Sequence, residues 1–122
     1  MKANELRIGN WVYNDFTRED IEVYPMMIHR LSKIEGEHHI KPIPLTEEWL
    51  IKFGFEKDVL SLFNIEILKD KDPTSAIIIC LEDGLCEITR NSRFGTTISM
   101  KYVHQLQNLY FALTGEELEI KD

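Results

Sequence analysis

The chain has 122 residues, 43% of them hydrophobic and 29% charged, a size and mixture that suit one globular domain and lie far from disordered, fibrous or membrane compositions. Its 14 Lys and Arg against 21 Asp and Glu leave a net charge of −7, which repels phosphate and argues against nucleic acid as a partner. No run approaches the roughly 18 apolar residues that span a bilayer, and the opening MKANELRIG lacks the apolar stretch of a secretory signal, so a single cytoplasmic domain over residues 1–122 is expected, with no membrane contact.

Leu6 to Tyr13 predicts a first strand with Leu6, Ile8 and Val12 inward, and Gly9-Asn10 admits a bulge in its middle. A polar turn, Asn14 to Asp20, leads to Ile21 to Ile34, whose strand character is interrupted by Pro25; it divides into an edge piece and a second strand from Met27 to Ile34. Pro42 to Leu45 is extended, because a residue before proline is pushed out of the helical region. Thr46 then caps a short helix whose first turn holds Glu47 and Glu48. Gly54 fits the left-handed position after that helix, Phe55 folds back on Leu50, and Trp49, Leu50 and Phe53 form its buried face.

Leu60 to Leu68, Ala76 to Leu81 and Leu85 to Arg90 read as strands, the second apolar on both faces and therefore central in its sheet. Asp83-Gly84 predicts a two-residue type I′ hairpin that pairs Cys80 with Glu87 and Leu81 with Cys86. The two sulfurs then point to opposite sides of the sheet, and no disulfide forms. Lys69 to Ser75 and Arg90 to Thr96 are expected as loops. A longer helix from Lys101 to Thr114 carries the apolar stripe Tyr102, Val103, Leu106, Leu109, Tyr110 and Leu113 and stops at Gly115, after which Leu118 and Ile120 suit a short terminal edge strand. These elements make an α+β fold: a single small antiparallel or mixed sheet of about five to six strands, with a short central helix and a longer C-terminal helix packed on it.

The chain has no Gly-rich phosphate loop, HExxH, CxxC or nucleophile elbow, so neither catalytic residues nor a cofactor can be assigned. His29, His38 and His39, with Glu35 and Glu37, offer metal-ligand and acid–base residue types without their spacing, since adjacent histidines on a strand project to opposite faces. A solvated polar loop is the simpler explanation, and a small enzyme built on these histidines is the alternative. Between Glu87 and Glu116 there is no acidic residue, while Arg90, Arg93 and Lys101 fall in that gap. They either pair with carboxylates elsewhere or meet an anion near the N-terminus of the long helix, the route to a second alternative, a nucleic-acid binder.

From Tyr102 through Thr114 no residue is charged. His104, Gln107, Asn108 and Phe111 share the face opposite the aliphatic stripe, where a solvated helix of this chain would carry Lys and Glu. Either a loop or part of the sheet covers that face, or it is a docking surface, for a second copy ahead of another protein, since uncharged amides and aromatics are cheap to desolvate.

Residues 5–12 (ELRIGNWV), 42–50 (PIPLTEEWL) with FGF at 53–55, and 102–118 (YVHQLQNLYFALTGEEL) resemble an uncharacterised family of small bacterial proteins often found in prophage or other mobile-element regions. The motifs lie at both ends and in the middle, so the resemblance covers the whole domain. It implies a genetic setting and no activity, and no catalytic residue follows from it. The function expected is that of a non-catalytic accessory or interaction protein of a mobile element, self-associating or binding a protein partner.

Overall fold

In the computed structural model, which describes residues 5–33, 40–57, 62–66, 76–90 and 93–121, the first strand, β1, is Trp11–Asn14. It pairs antiparallel with β2, Glu19–Glu22, and with β3, Ile40–Lys41, giving a three-stranded sheet in the order β2-β1-β3. Asn14 makes the β1–β2 turn by accepting the N–H groups of Phe16 and Thr17 on Oδ1 at 3.0 and 3.3 Å, the local bonding that suits asparagine to turns. Alternation sends Val12 and Ile21 to one face, where they join Leu6, Val23 and Met27 in a core flanked by Ile28 and Ile40.

The first strand is shorter than residues 6–13 suggest. Gly9 has φ +93 and the Asn10 N–H donates to the Arg7 carbonyl at 3.0 Å, so a turn takes the place of a bulge. Leu6 is buried from outside the strand, whereas Ile8, expected inward, is 58% exposed. A larger correction concerns residues 27–34, expected as strand: Pro25–Lys33 is a helix, α1. Proline is well placed at a helix start, where its missing N–H would lack a partner anyway. Met27 and Ile28 turn inward while Met26 and His29 face out, a helical period that a short apolar run does not distinguish from a strand.

These elements belong to one of two compact units, Met1–Pro44 with Tyr102–Asn108; the other is Leu45–Lys101 with Leu109–Asp122. The second opens on α2, Glu47–Lys52. Thr46 caps it by accepting the Trp49 N–H at 3.4 Å. At its end Gly54, at φ +91, donates to the Ile51 carbonyl and Phe55 donates to that of Leu50, both at 3.0 Å, the paired bonds of a Schellman ending. Trp49, Leu50, Phe53 and Phe55 are buried as expected.

A five-stranded antiparallel sheet follows in the order of the chain: β4 (Glu56–Lys57), β5 (Phe63–Glu66), β6 (Ala76–Cys80), β7 (Leu85–Arg90) and β8 (Arg93–Ser99). The α+β class is thus observed, with two sheets where one was expected. The isoleucine-rich β6 is central, and its register sets Phe63, Ile79 and Cys86 in one row and Ile65, Ile77 and Ile88 in the next, all on one face. β8 occupies most of the expected 90–96 loop. Phe94, Thr96, Thr97 and Ile98 favour a strand, and because Ile88 pairs with Thr96 and Thr89 with Phe94, Gly95 is the extra residue of a bulge. The expected terminal strand is absent from the described residues; Leu118 is instead buried in an irregular segment whose Lys121 N–H donates to the Lys52 carbonyl at 2.6 Å.

The β6–β7 register differs from the two-residue hairpin. Cys80 pairs with Leu85 and Ile79 with Cys86, so four residues turn the chain. A type I′ turn needs positive φ at both central residues, and of Asp83 and Gly84 only Gly84 has it, at +65. The slip is two pairing steps, which preserves the faces: Cys86 is buried and Cys80, on the other face, is partly exposed, both as free thiols. Burial, with Glu87 beside it, pushes the Cys86 thiol up to about 11. At pH 8 an aromatic disulfide reagent should therefore modify one thiol of the native chain, the second reacting only in denaturant, and Cys80→Ser should abolish the native reaction. Rapid native modification of both thiols would contradict this packing.

Candidate functional site

The long helix, α3, is Val103–Thr114. It starts two residues later than the periodicity suggests, because Tyr102 is held extended in a bridge to Pro44. The Gln105 side chain reaches back to accept the Tyr102 N–H at 3.0 Å, and the Val103 N–H donates to the Ile43 carbonyl at 2.9 Å, so two of the unpartnered donors at a helix start are satisfied. Val103 and Leu106 are fully buried, and Gly115 ends the helix at φ +74.

The uncharged face is occupied from within the first unit. Gln107 is 1% exposed and its carboxamide reads the backbone at the mouth of β1, accepting the Trp11 N–H on Oε1 at 2.7 Å and donating from Nε2 to the Gly9 carbonyl at 3.1 Å. Asn108 donates to the Glu5 carbonyl at 2.8 Å and accepts on Oδ1 from Arg7 Nη1 and from Asn10 Nδ2, both at 2.9 Å. Asn10, fully buried, accepts the Arg7 N–H on its own Oδ1 at 2.6 Å. One turn earlier His104 is 3% exposed and stacked on Tyr102, with ring centroids 5.9 Å apart and planes 10° from parallel, and its Nδ1 has no hydrogen-bond partner. The docking expectation for this face is corrected at His104 and Gln107, which are buried, and at Asn108, whose carboxamide is bonded to Glu5, Arg7 and Asn10. Phe111 is 40% exposed.

The other candidates are the histidines and the three cations. His29 is exposed on α1, while His38 and His39 lie outside the described residues. Arg90 and Arg93 are register partners at one end of the β7–β8 pair, and Lys101 follows the other end of β8, a separation of about 20 Å along a strand of that length. The backbone register therefore sets Lys101 beyond the end of β8 opposite to Arg90 and Arg93. Among the described residues no group of three or more His, Cys, Asp and Glu is arranged to hold a metal ion.

Two features of the first unit go unnoticed in the sequence. Ile8, Tyr24 and Met26 are 58%, 47% and 54% exposed, although each sits in an apolar pattern that suggests burial. The face of the small sheet turned away from the core carries Trp11 and Tyr13 from β1 directly opposite Glu22 and Asp20 of β2. Strict alternation through 11–14 and 19–22 is the signal that exposes this face once both segments are recognised as strands.

A carboxylate at position 107 would accept from Trp11 but could not donate to Gly9. Gln107→Glu should lower the unfolding free energy by about 1–3 kcal/mol, the cost of a lost hydrogen bond at a buried side chain; urea denaturation reads it, and an unchanged midpoint would show that the Gly9 bond is unimportant. His104 has a second, pH-dependent expectation. Burial lowers its pKa below 6.5, against a smaller opposing effect of Glu5. The unfolded chain then takes up the proton first, so stability is complete above pH 6.5, falls as pH drops through that value, and levels once the native imidazole protonates. His104→Phe, which keeps a ring against Tyr102, should show a smaller loss of thermal midpoint than wild type between pH 7.5 and 5.5; identical losses would remove His104 as the cause.

No family model matches the sequence, and no curated protein and no solved structure matches it.

Proposed function

We propose that the chain is a non-catalytic interaction protein, in the mobile-element setting implied by its resemblance to small bacterial prophage proteins, and that it associates through an apolar contact on its first unit. The carrying observation is the joint exposure of Ile8, Tyr24 and Met26. The Gly9 N–H donates to the Val23 carbonyl at 2.9 Å, so Ile8 and Tyr24 flank one short hydrogen bond, and Met26 follows in the first turn of α1. Single exposed apolar residues need no explanation, but neighbouring large ones are characteristic of contact surfaces.

A second copy is the expected partner, because a self-complementary apolar contact closes under two-fold symmetry without any further component. The uncharged helix face supports the reading indirectly, since its amides are consumed in shaping residues 5–11, the segment that displays Ile8. Sedimentation equilibrium across a wide concentration range should show a monomer–dimer equilibrium for the wild type. Ile8→Glu with Met26→Glu should shift it to monomer while leaving the thermal midpoint nearly unchanged, because neither side chain is in the core and a charge at an apolar contact must be desolvated. A wild type that stays monomeric throughout, or a variant that dimerises equally well, would refute association through this contact.

A further inference from the structure

We infer that the outer face of the three-stranded sheet is a docking surface for a basic segment of another protein, an arginine- or lysine-bearing stretch held by aromatic rings and carboxylates together. One face of that sheet is committed to the core through Val12, Ile21 and Ile40. The other presents Trp11 opposite Glu22 and Tyr13 opposite Asp20, two adjacent rows each pairing an aromatic ring with an acid. Trp11 and Tyr13 are half-buried, and Asp20 and Glu22 are exposed. Residues directly opposite in an antiparallel pair have Cβ atoms about 5 Å apart, so one cationic group placed between a ring and a carboxylate meets both.

The chemistry favours a cation on two independent grounds. A ring face attracts a guanidinium or ammonium through its quadrupole, most strongly for tryptophan, and neighbouring carboxylates add direct attraction. Among the described residues the cation that the register sets on this face, Lys41 opposite Tyr13, is engaged by Asp15 at 3.2 Å and not by Asp20 or Glu22. The edge strand that borders the face, β2, contributes Asp20 and Glu22 to it. A second copy of this chain is a poor occupant, because a two-fold axis beside β2 would set those carboxylates against their own copies. A basic segment from a different protein meets no such opposition, and a net charge of −7 steers it inward from a distance.

The inference rests on the interaction reading only in treating the chain as a binder, and it concerns a different surface from Ile8 and Met26. The probe is a blocked tetra-arginine peptide, titrated into the isotopically labelled chain at low and moderate salt and followed by amide and indole shifts. Saturable shifts should centre on Trp11, Tyr13, Asp20 and Glu22. Asp20→Asn with Glu22→Gln should weaken the peptide about tenfold, and Tyr13→Leu should weaken it with every carboxylate still present. Glu116→Gln with Glu117→Gln, which removes the same charge from the C-terminal segment, should leave the affinity unchanged. Equal weakening by the two double variants would reduce the effect to overall charge and overturn the inference, as would shifts that avoid β1 and β2. A tetraglutamate peptide should produce no shifts at these residues. A failed titration leaves association through Ile8 and Met26 untouched, whereas loss of that association leaves the peptide result intact.

Discussion

The carboxamide of Gln107 does for the mouth of β1 what a neighbouring strand would do. Gly9 presents a carbonyl and Trp11 an N–H two positions apart, where the chain emerges from a turn and has no ladder to join on that side. A primary amide carries one acceptor and two donors in a plane, the complement of that pair, and Gln107 supplies both at 2.7 and 3.1 Å. Without it, two partly buried backbone groups would each lose up to about 1–3 kcal/mol of hydrogen bonding, a sizeable share of a small domain's net stability. Asn108 extends the same service to the Glu5 carbonyl, Arg7 and Asn10. The lack of charge at 107 and 108 follows from this: an ionised carboxylate has no donor and an ammonium has no acceptor, whereas a carboxamide has both.

That constraint reaches the surface of the first unit. With residues 5–11 pinned to α3, the turn at Gly9 directs Leu6 into the core and Ile8 away from it, and β1 leaves in a register that sends Val12 inward and Trp11 and Tyr13 outward. The inward face is closed by apolar packing. The outward face combines aromatic rings with the carboxylates of β2. The structural and displayed residues thus alternate along the same few positions, as the two-residue period of a strand requires.

The elements that are legible in the sequence are those whose cause is local. Thr46, Glu47 and Glu48 mark the start of α2, and Gly54-Phe55 its end, through bonds that span five residues at most. β6 is legible because three consecutive isoleucines suit a strand packed on both sides. Residues 27–33 are not, since Met27, Ile28 and Leu31 satisfy a strand and a helix equally until Leu6, Val12 and Val23 offer a surface for one helical face. Arg90 to Thr96 is obscured in the opposite way: Gly95 suggests a loop, but a bulge absorbs it and the strand continues.

The surface shows the same division. That the face of His104, Gln107 and Asn108 is unusual can be read from thirteen uncharged positions in a chain so rich in charge. That it is covered depends on partners 96 to 103 positions away, whose approach no local pattern encodes. Composition, caps, faces of strands and the chemistry available to each side chain were determined by the sequence itself, because they depend on neighbours within a few residues. Which of those faces stayed open, with Gln107 enclosed and Ile8, Asp20 and Glu22 left to solvent, was decided only by the tertiary structure, because burial follows from which distant backbone groups need a partner and which segment comes to lie over them.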